Sequence, residues 1–377
     1  MGAENGKKPN IDKRVSFRCT YLVEDHNYIK IINNVIDDVI NDEIEEKIKI
    51  LNGNKKEKLV FTKKFDKIGL NTIDFVVKGK LENLFYLFSE CKSLKSVEFF
   101  SLDTSRVENM QAIFSGCHEL EYLDLSNFNT SKATDMSLMF EGCYNLKEIK
   151  GINNFKTKNL KEMVGMFQQC YSLEKLDLSS FNTSNATNMS YLFNECHKLK
   201  EIKGIHNFNT NKVNNMAYMF QGCKELEYLD LSNFNTTNVT DMQLMFNDCQ
   251  KLKEIKGINN FNTPKNKNIT AMFQKCYNLE KLDLSNFNTA SIIEMNNIFS
   301  HCFNLKEIKG LNNFNTNKVT TFYSMFQHCH NLEKLDLSTF NTSNATDIGY
   351  MFNECNKLKE IKGIKNFNTN KVNNISC

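Results

Sequence analysis

The sequence predicts an α/β solenoid. Units of one strand and one helix stack so that the strands form a parallel sheet on the inner curve and the helices lie outside. A small β-rich domain precedes them. Two observations carry this reading. Eleven cysteines, from Cys91 to Cys355, recur every 26 or 27 residues. Around each of them the same apolar pattern returns, helical in one half of the period and alternating in the other.

The helical half reads M-x-x-M-F-x-x-C-x-x-L, as in Met136, Met139, Phe140, Cys143 and Leu146. Residues so spaced share one face of a helix. The Asn, Thr and Asp that precede them, as in "NVTD", are residues that cap helix starts. The strand half reads L-x-x-L-D-L, as in Leu120, Leu123, Asp124 and Leu125, and predicts a short strand with one buried face. A strand and a helix in 26–27 residues fall within the period of leucine-rich repeats. One unit cannot bury its own apolar stripe, but stacked units cover one another. Eleven strands at about 4.8 Å each span an arc on the order of 50 Å.

The stretch "LDLSNFNTTNVTDMQLMFNDC" at 229–249, repeated throughout 81–377, resembles the BspA-like leucine-rich repeats of bacterial and protist surface proteins and mycoplasma-type lipoproteins. The resemblance implies a solenoid with a binding or adhesive role.

The units come in two alternating forms. The short form places eight steps between its first Leu and the Phe of F-N-T (Leu120 to Phe128), the long form nine (Leu146 to Phe155). The extra residue lies at or beside Gly151, Gly204, Gly257, Gly310 and Gly363. Glycine tolerates the backbone of a bulge, so every second strand is expected to end in one. Charge alternates with form: Asp124, Lys150, Asp177, Lys203, Asp230 and Lys256 occupy one column, and Glu121, Lys147, Glu174 and Lys200 another. A single repeated unit would set like charges about 5 Å apart, where they repel. Alternation is expected to give each Asp, such as Asp230, a lysine on both sides.

Residues 1–80 carry no repeat and form the first domain. "RVSFRCTYLV", "NYIKIINN", "EKIKIL", "EKLVFTKKF" and "LNTIDFVVKG" read as strands, and "NGNKK" as a hairpin turn. Residues 34–46 read as a short acidic helix or a loop. This domain is expected to cover the first repeat, as solenoid ends require. Residues 81–377 form the second domain, about eleven units, the last of them truncated: Cys377 aligns with Tyr218 rather than with a repeat cysteine.

Apolar residues make up 41% of the 377, charged residues 24%, and the net charge is +3. That balance fits a folded protein and disfavours nucleic acid or an anionic membrane as the main partner. No apolar run marks an export signal near Met1, and none is long enough to span a membrane. A cytoplasmic location follows as the expectation, or the cell surface or a secreted state if the N-terminus is incomplete. Gly2 fits acylation poorly, since Gly6 stands where Ser or Thr belongs.

No phosphate loop, dinucleotide fingerprint, nucleophile elbow or zincin motif occurs, so no catalytic residue, cofactor or metal is assigned. The repeat cysteines read as core thiols, and His301, His328 and His330 as solvated residues. Disulfides between units are not expected, because packed helices stand too far apart. The sequons at Asn185, Asn188, Asn238 and Asn344 follow from the Asn/Thr-rich turn. Tyr122 and Tyr228, with Asp230 and Lys256, are the candidate partner-binding residues, either as anchors or as spacers in the charge columns. The leading function is a non-enzymatic protein–protein interaction scaffold, with a cell-surface or secreted adhesin as the alternative. End-to-end self-association at the C-terminus is a further expectation.

Overall fold

The computed structural model describes residues 12–36 and 39–376; Gly2, Gly6 and Cys377 lie outside them. The N-terminal elements are β1 (Phe17–Val23), β2 (Tyr28–Lys30), β3 (Val35–Ile36), β4 (Val39–Ile40), helix α1 (Asp42–Lys47), β5 (Ile48–Asn52), β6 (Lys55–Lys58), β7 (Thr62–Lys64) and β8 (Gly69–Val77). Four of the expected strands form in part or whole, the expected strand at 57–65 is divided between the end of β6 and β7, and Gly53, at a φ of 56°, turns the β5–β6 hairpin. Residues 34–46 divide between the β3–β4 ribbon and the start of α1.

The main N-terminal sheet runs β6-β5-β8-β1-β9, and its last strand, β9 (Leu94–Phe99), belongs to the first repeat unit. Phe17, Cys19, Tyr21 and Val23 alternate inward along β1. The Phe17 ring stacks on Phe75 at 4.9 Å and meets Phe88 edge-on at 5.7 Å. The first repeat phenylalanine is thereby covered, as a solenoid end needs.

After β9 each unit supplies a three-residue strand: β10 (Tyr122–Asp124), β11 (Glu148–Lys150), β12 (Lys175–Asp177), β13 (Glu201–Lys203), β14 (Tyr228–Asp230), β15 (Glu254–Lys256), β16 (Lys281–Asp283), β17 (Glu307–Lys309), β18 (Lys334–Asp336) and β19 (Glu360–Lys362). These strands do not form the single sheet expected. They pair in parallel two at a time, a short unit with the long unit that follows it. Continuity runs elsewhere. A column of single parallel bridges passes from Asn83 through Asn109, Asp135 and Glu162, without a break, to Asn374.

The expected outer helices are absent, and with them the α/β class: among the described residues α1 is the one α-helix. The M-x-x-M-F-x-x-C segments are chains of turns. Met139, Glu141 and Cys143 donate their N–H groups three residues back, to Met136, Leu138 and Phe140. Met136, Leu138, Phe140 and Gly142 donate theirs to Glu162, Val164, Met166 and Gln168 of the next unit, at 2.8–3.0 Å. A helix would use those donors internally and leave its orphan groups at each end. The turns direct every second donor across the stack. This geometry needs two left-handed residues per unit, here Leu138 at a φ of 57° and Gly142 at 67°, in the position that a type II turn reserves for positive φ. Tyr191, Glu195, Tyr218, Leu244 and others occupy the same positions, at roughly 1–2 kcal/mol each for a non-glycine residue. The apolar offsets still point inward: Met136, Met139, Phe140, Cys143 and Leu146 are all buried.

The expected bulge is also replaced. Gly151 stands at a φ of 84° and opens a single turn of 3-10 helix, Ile152–Asn154; Gly204, Gly257, Gly310 and Gly363 do the same. A Cβ on Gly257 would lie 2.5 Å from Ser232 Cα. The extra residue of the long form therefore crosses directly over the backbone of the short form below it.

Three columns run through every join. Phenylalanine rings stack from Phe88 to Phe352, with centroids 5.5–5.9 Å apart. Each repeat thiol from Cys117 to Cys355 donates to the carbonyl of the phenylalanine in the preceding unit, as Cys143 does to Phe114 at 3.1 Å. The buried threonine of F-N-T clasps the next unit: the Thr210 hydroxyl donates to the Asn235 carbonyl at 2.9 Å and accepts the Asn235 N–H at 2.7 Å. The twelve described cysteines are all unbridged. Burial pushes the Cys302 thiol up to about 12, and the half-buried Cys355 only to about 11.

Candidate functional site: the strand face

Most of the three-residue strands bury their middle residue and leave the two beside it exposed or partly exposed, as Leu229 is buried between the exposed Tyr228 and the partly exposed Asp230. The exposed positions carry the two charge columns and the tyrosines. Within four of the five strand pairs aspartate and lysine meet: Lys150 Nζ lies 2.7 Å from Asp124, Lys203 2.9 Å from Asp177, Lys256 2.8 Å from Asp230 and Lys362 3.0 Å from Asp336. In the neighbouring column Lys147, Lys200, Lys253 and Lys306 reach Glu121, Glu174, Glu227 and Glu280 at 2.7–2.8 Å. Each of these lysines belongs to a long unit and turns back to the short unit before it. Asp230 faces Lys256 and not Lys203, so the expected two-sided ladder is a series of separate rungs. At the start of the array Glu121 holds both Lys95 and Lys147.

These contacts set the electrostatics. The Lys256 ammonium, followed by the Ser232 hydroxyl, holds the Asp230 carboxyl at about 2, and Lys150 does the same for Asp124. For Asp177 the first cause is Ser179 and the second Lys203, again to about 2. Both faces of a rung are therefore charged at neutral pH.

At the joins between pairs the strands do not bond, and at two of these joins a hollow opens. One of about 390 Å³ lies between β11 and β12, lined by Ile149, Lys150, Gly151, Leu176 and Asp177. Its counterpart between β15 and β16 measures about 340 Å³ and is lined by Ile255, Lys256, Gly257, Leu282 and Asp283. Both have an apolar floor and walls of both charge signs.

Of the four candidate residues the structure brings three together: Tyr228 and Asp230 on β14 and Lys256 on β15. Tyr122 stands four units away on β10, on the order of 20 Å at the spacing of paired strands. Tyr122 is 56% exposed and Tyr228 47%. Lys147 Nζ lies 5.6 Å from the centre of the Tyr122 ring, a cation–π contact. At the β13–β14 join Tyr228 takes the place that Lys175 and Lys281 hold beside the two hollows. The glycines that open those hollows were legible as the source of the extra residue, although their left-handed backbone was read as a bulge.

Among the described residues no helix is long and apolar enough to cross a membrane. No curated protein matches the chain. The fold is similar to that of a leucine-rich repeat protein from Bacteroides ovatus, at 18% identity over 88% of this chain and 93% of that one, with a TM-score of 0.42. It is also similar to a leucine-rich cell surface protein from Faecalibacterium prausnitzii, at 15% identity over 76% and 83%, with a TM-score of 0.40. A leucine-rich repeat protein from Eubacterium ventriosum matches at 15% identity over 68% and 69%, with a TM-score of 0.30. Residues 81–203, 165–282, 197–308 and 267–377 each match the family described as "Mycoplasma protein of unknown function, DUF285". With its repeat array covered from end to end, the chain belongs to this Mycoplasma/BspA-like repeat family.

Proposed function

We propose that the chain is a non-enzymatic scaffold that binds a protein partner across the strand face. The observation that carries this is the recurrence of the hollows. The same apolar floor and two-signed wall return after four units, in the same register. Such sites suit an extended partner segment whose apolar and charged side chains repeat, with Tyr228 and Tyr122 as rigid anchors beside them. The rungs leave the face with little net field, which favours a partner of mixed charge over a polyanion.

A photo-crosslinking residue at position 228, compared with one at position 118, tests this in cells. Discrete adducts from 228 alone, lost in Lys256→Glu, support the reading. Equal adducts from both positions, or none, contradict it. For location we place the protein in a reducing compartment, supported by twelve unbridged thiols, eleven of them buried and Cys355 half-buried. The adhesin reading would put it outside the cell, and fractionation with surface proteolysis separates the two.

A further inference from the structure

We propose that His328, His330 and Glu354 form a binding site for a divalent transition-metal ion such as Zn²⁺, built across one repeat join. One ligand atom from each of the three lies within 4.8 Å of the others. From the sequence alone these histidines read as solvated residues; Glu354 lies 24 residues beyond His330, in the next unit.

The repeat explains the convergence. His328 and His330 flank Cys329, and Glu354 immediately precedes Cys355 one unit later. The residue before the cysteine is left-handed in both units, at a φ of 58°. Its backbone is held by the ladder between units, His328 N–H donating to the Asn353 carbonyl at 2.8 Å. Cys329 is buried between the two histidines and donates to Phe299, which leaves the flanking side chains to meet outside. Other units show that these positions approach each other. Glu195 and His197, which flank Cys196, lie 2.5 Å apart. Lys224, just after Cys223, lies 3.6 Å from Asp248, just before Cys249; His330 and Glu354 occupy those same two positions. Only at the Cys329–Cys355 join does the sequence put a metal-ligating residue type at all three.

The His330 ring is also positioned, stacked on Phe303 at 5.1 Å and 11°. Two imidazoles and one carboxylate suit Zn²⁺ and its first-row neighbours. Three protein ligands on a half-exposed surface leave a coordination position for water or for a donor from a partner. The buried thiols do not compete for the metal in the folded chain, and the half-buried Cys355 beside Glu354 is held protonated, its Sγ donating to the Phe326 carbonyl at 3.0 Å.

The test is calorimetric titration of the untagged full chain with ZnCl2, with a parallel Co²⁺ spectrum. The expected result is one ion per chain, at least about tenfold weaker in His330→Ala and in Glu354→Gln. His118→Ala, which removes a histidine at the equivalent position of another unit, should leave binding unchanged. The Co²⁺ spectrum should show no thiolate charge-transfer band. Absence of stoichiometric binding overturns the proposal. So does binding that the two site variants leave untouched, or a thiolate band.

Discussion

The join from a short unit to its long successor and the join from that long unit to the next short one differ sharply. At the first, as between β14 and β15, the strands hydrogen-bond, lysine meets aspartate, and the glycine of the long form lies on the backbone below. At the second, as between β15 and β16, none of these connects the strands, and a hollow opens. The turn ladder, the phenylalanine stack, the thiol donations and the threonine clasps cross both. Alternation therefore makes a module of two units, zipped on its strand side. The far side of the stack makes no distinction between the joins.

The largest effect should come from the step that defines the first join. Gly257→Ala places a side chain at positive φ and against the Ser232 backbone, and should destabilise by about 3 kcal/mol or more. Gly222→Ala is its control. There the added Cβ meets the movable Glu195 carboxylate, and other units hold non-glycine residues at that position, so about 1 kcal/mol is expected. Denaturant melts of the two variants check this, and equal losses would break the distinction.

Next in size is a contact common to both kinds of join. Thr210→Val leaves the part-buried Asn235 N–H and carbonyl unclasped, at about 1–3 kcal/mol. Thr236→Val, at the other kind of join, should cost a similar amount.

Two smaller effects follow from titration. Asp124, Asp230 and Glu121 are held at about 2, first by Lys150, Lys256 and Lys147 respectively. A carboxylate with a lowered native pKa stabilises the fold above its unfolded value, near 4, and loses that contribution as pH falls towards 2. Thermal melts should show stability declining over that window, less steeply at high salt. Among the described cysteines, Cys355 should react first with a thiol reagent, since it alone is half-buried.

The sequence showed most of this at the level of which residues face inward. Met136, Met139, Phe140 and Cys143 were placed in the core correctly, because offsets of 0, 3, 4 and 7 suit a helix and a chain of turns alike. What distinguishes the two is the backbone. The one clue was glycine just before the cysteine, at Gly116, Gly142 and Gly222, in the middle of what would be a helix. The charge columns were legible and their pairing was not, because it depends on which joins carry strand bonds. Of the candidate residues, Asp230 and Lys256 do meet, while the closeness of His328, His330 and Glu354 follows only from stacking.

A double-mutant cycle tests the two-unit module most directly. Asp230→Asn is combined with Lys256→Met and, separately, with Lys203→Met, and unfolding free energies are measured at low and high salt. A salt-sensitive coupling to Lys256 and none to Lys203 is the predicted result. Equal coupling to both lysines would mean that charges run unbroken along the face, and the paired module would be wrong.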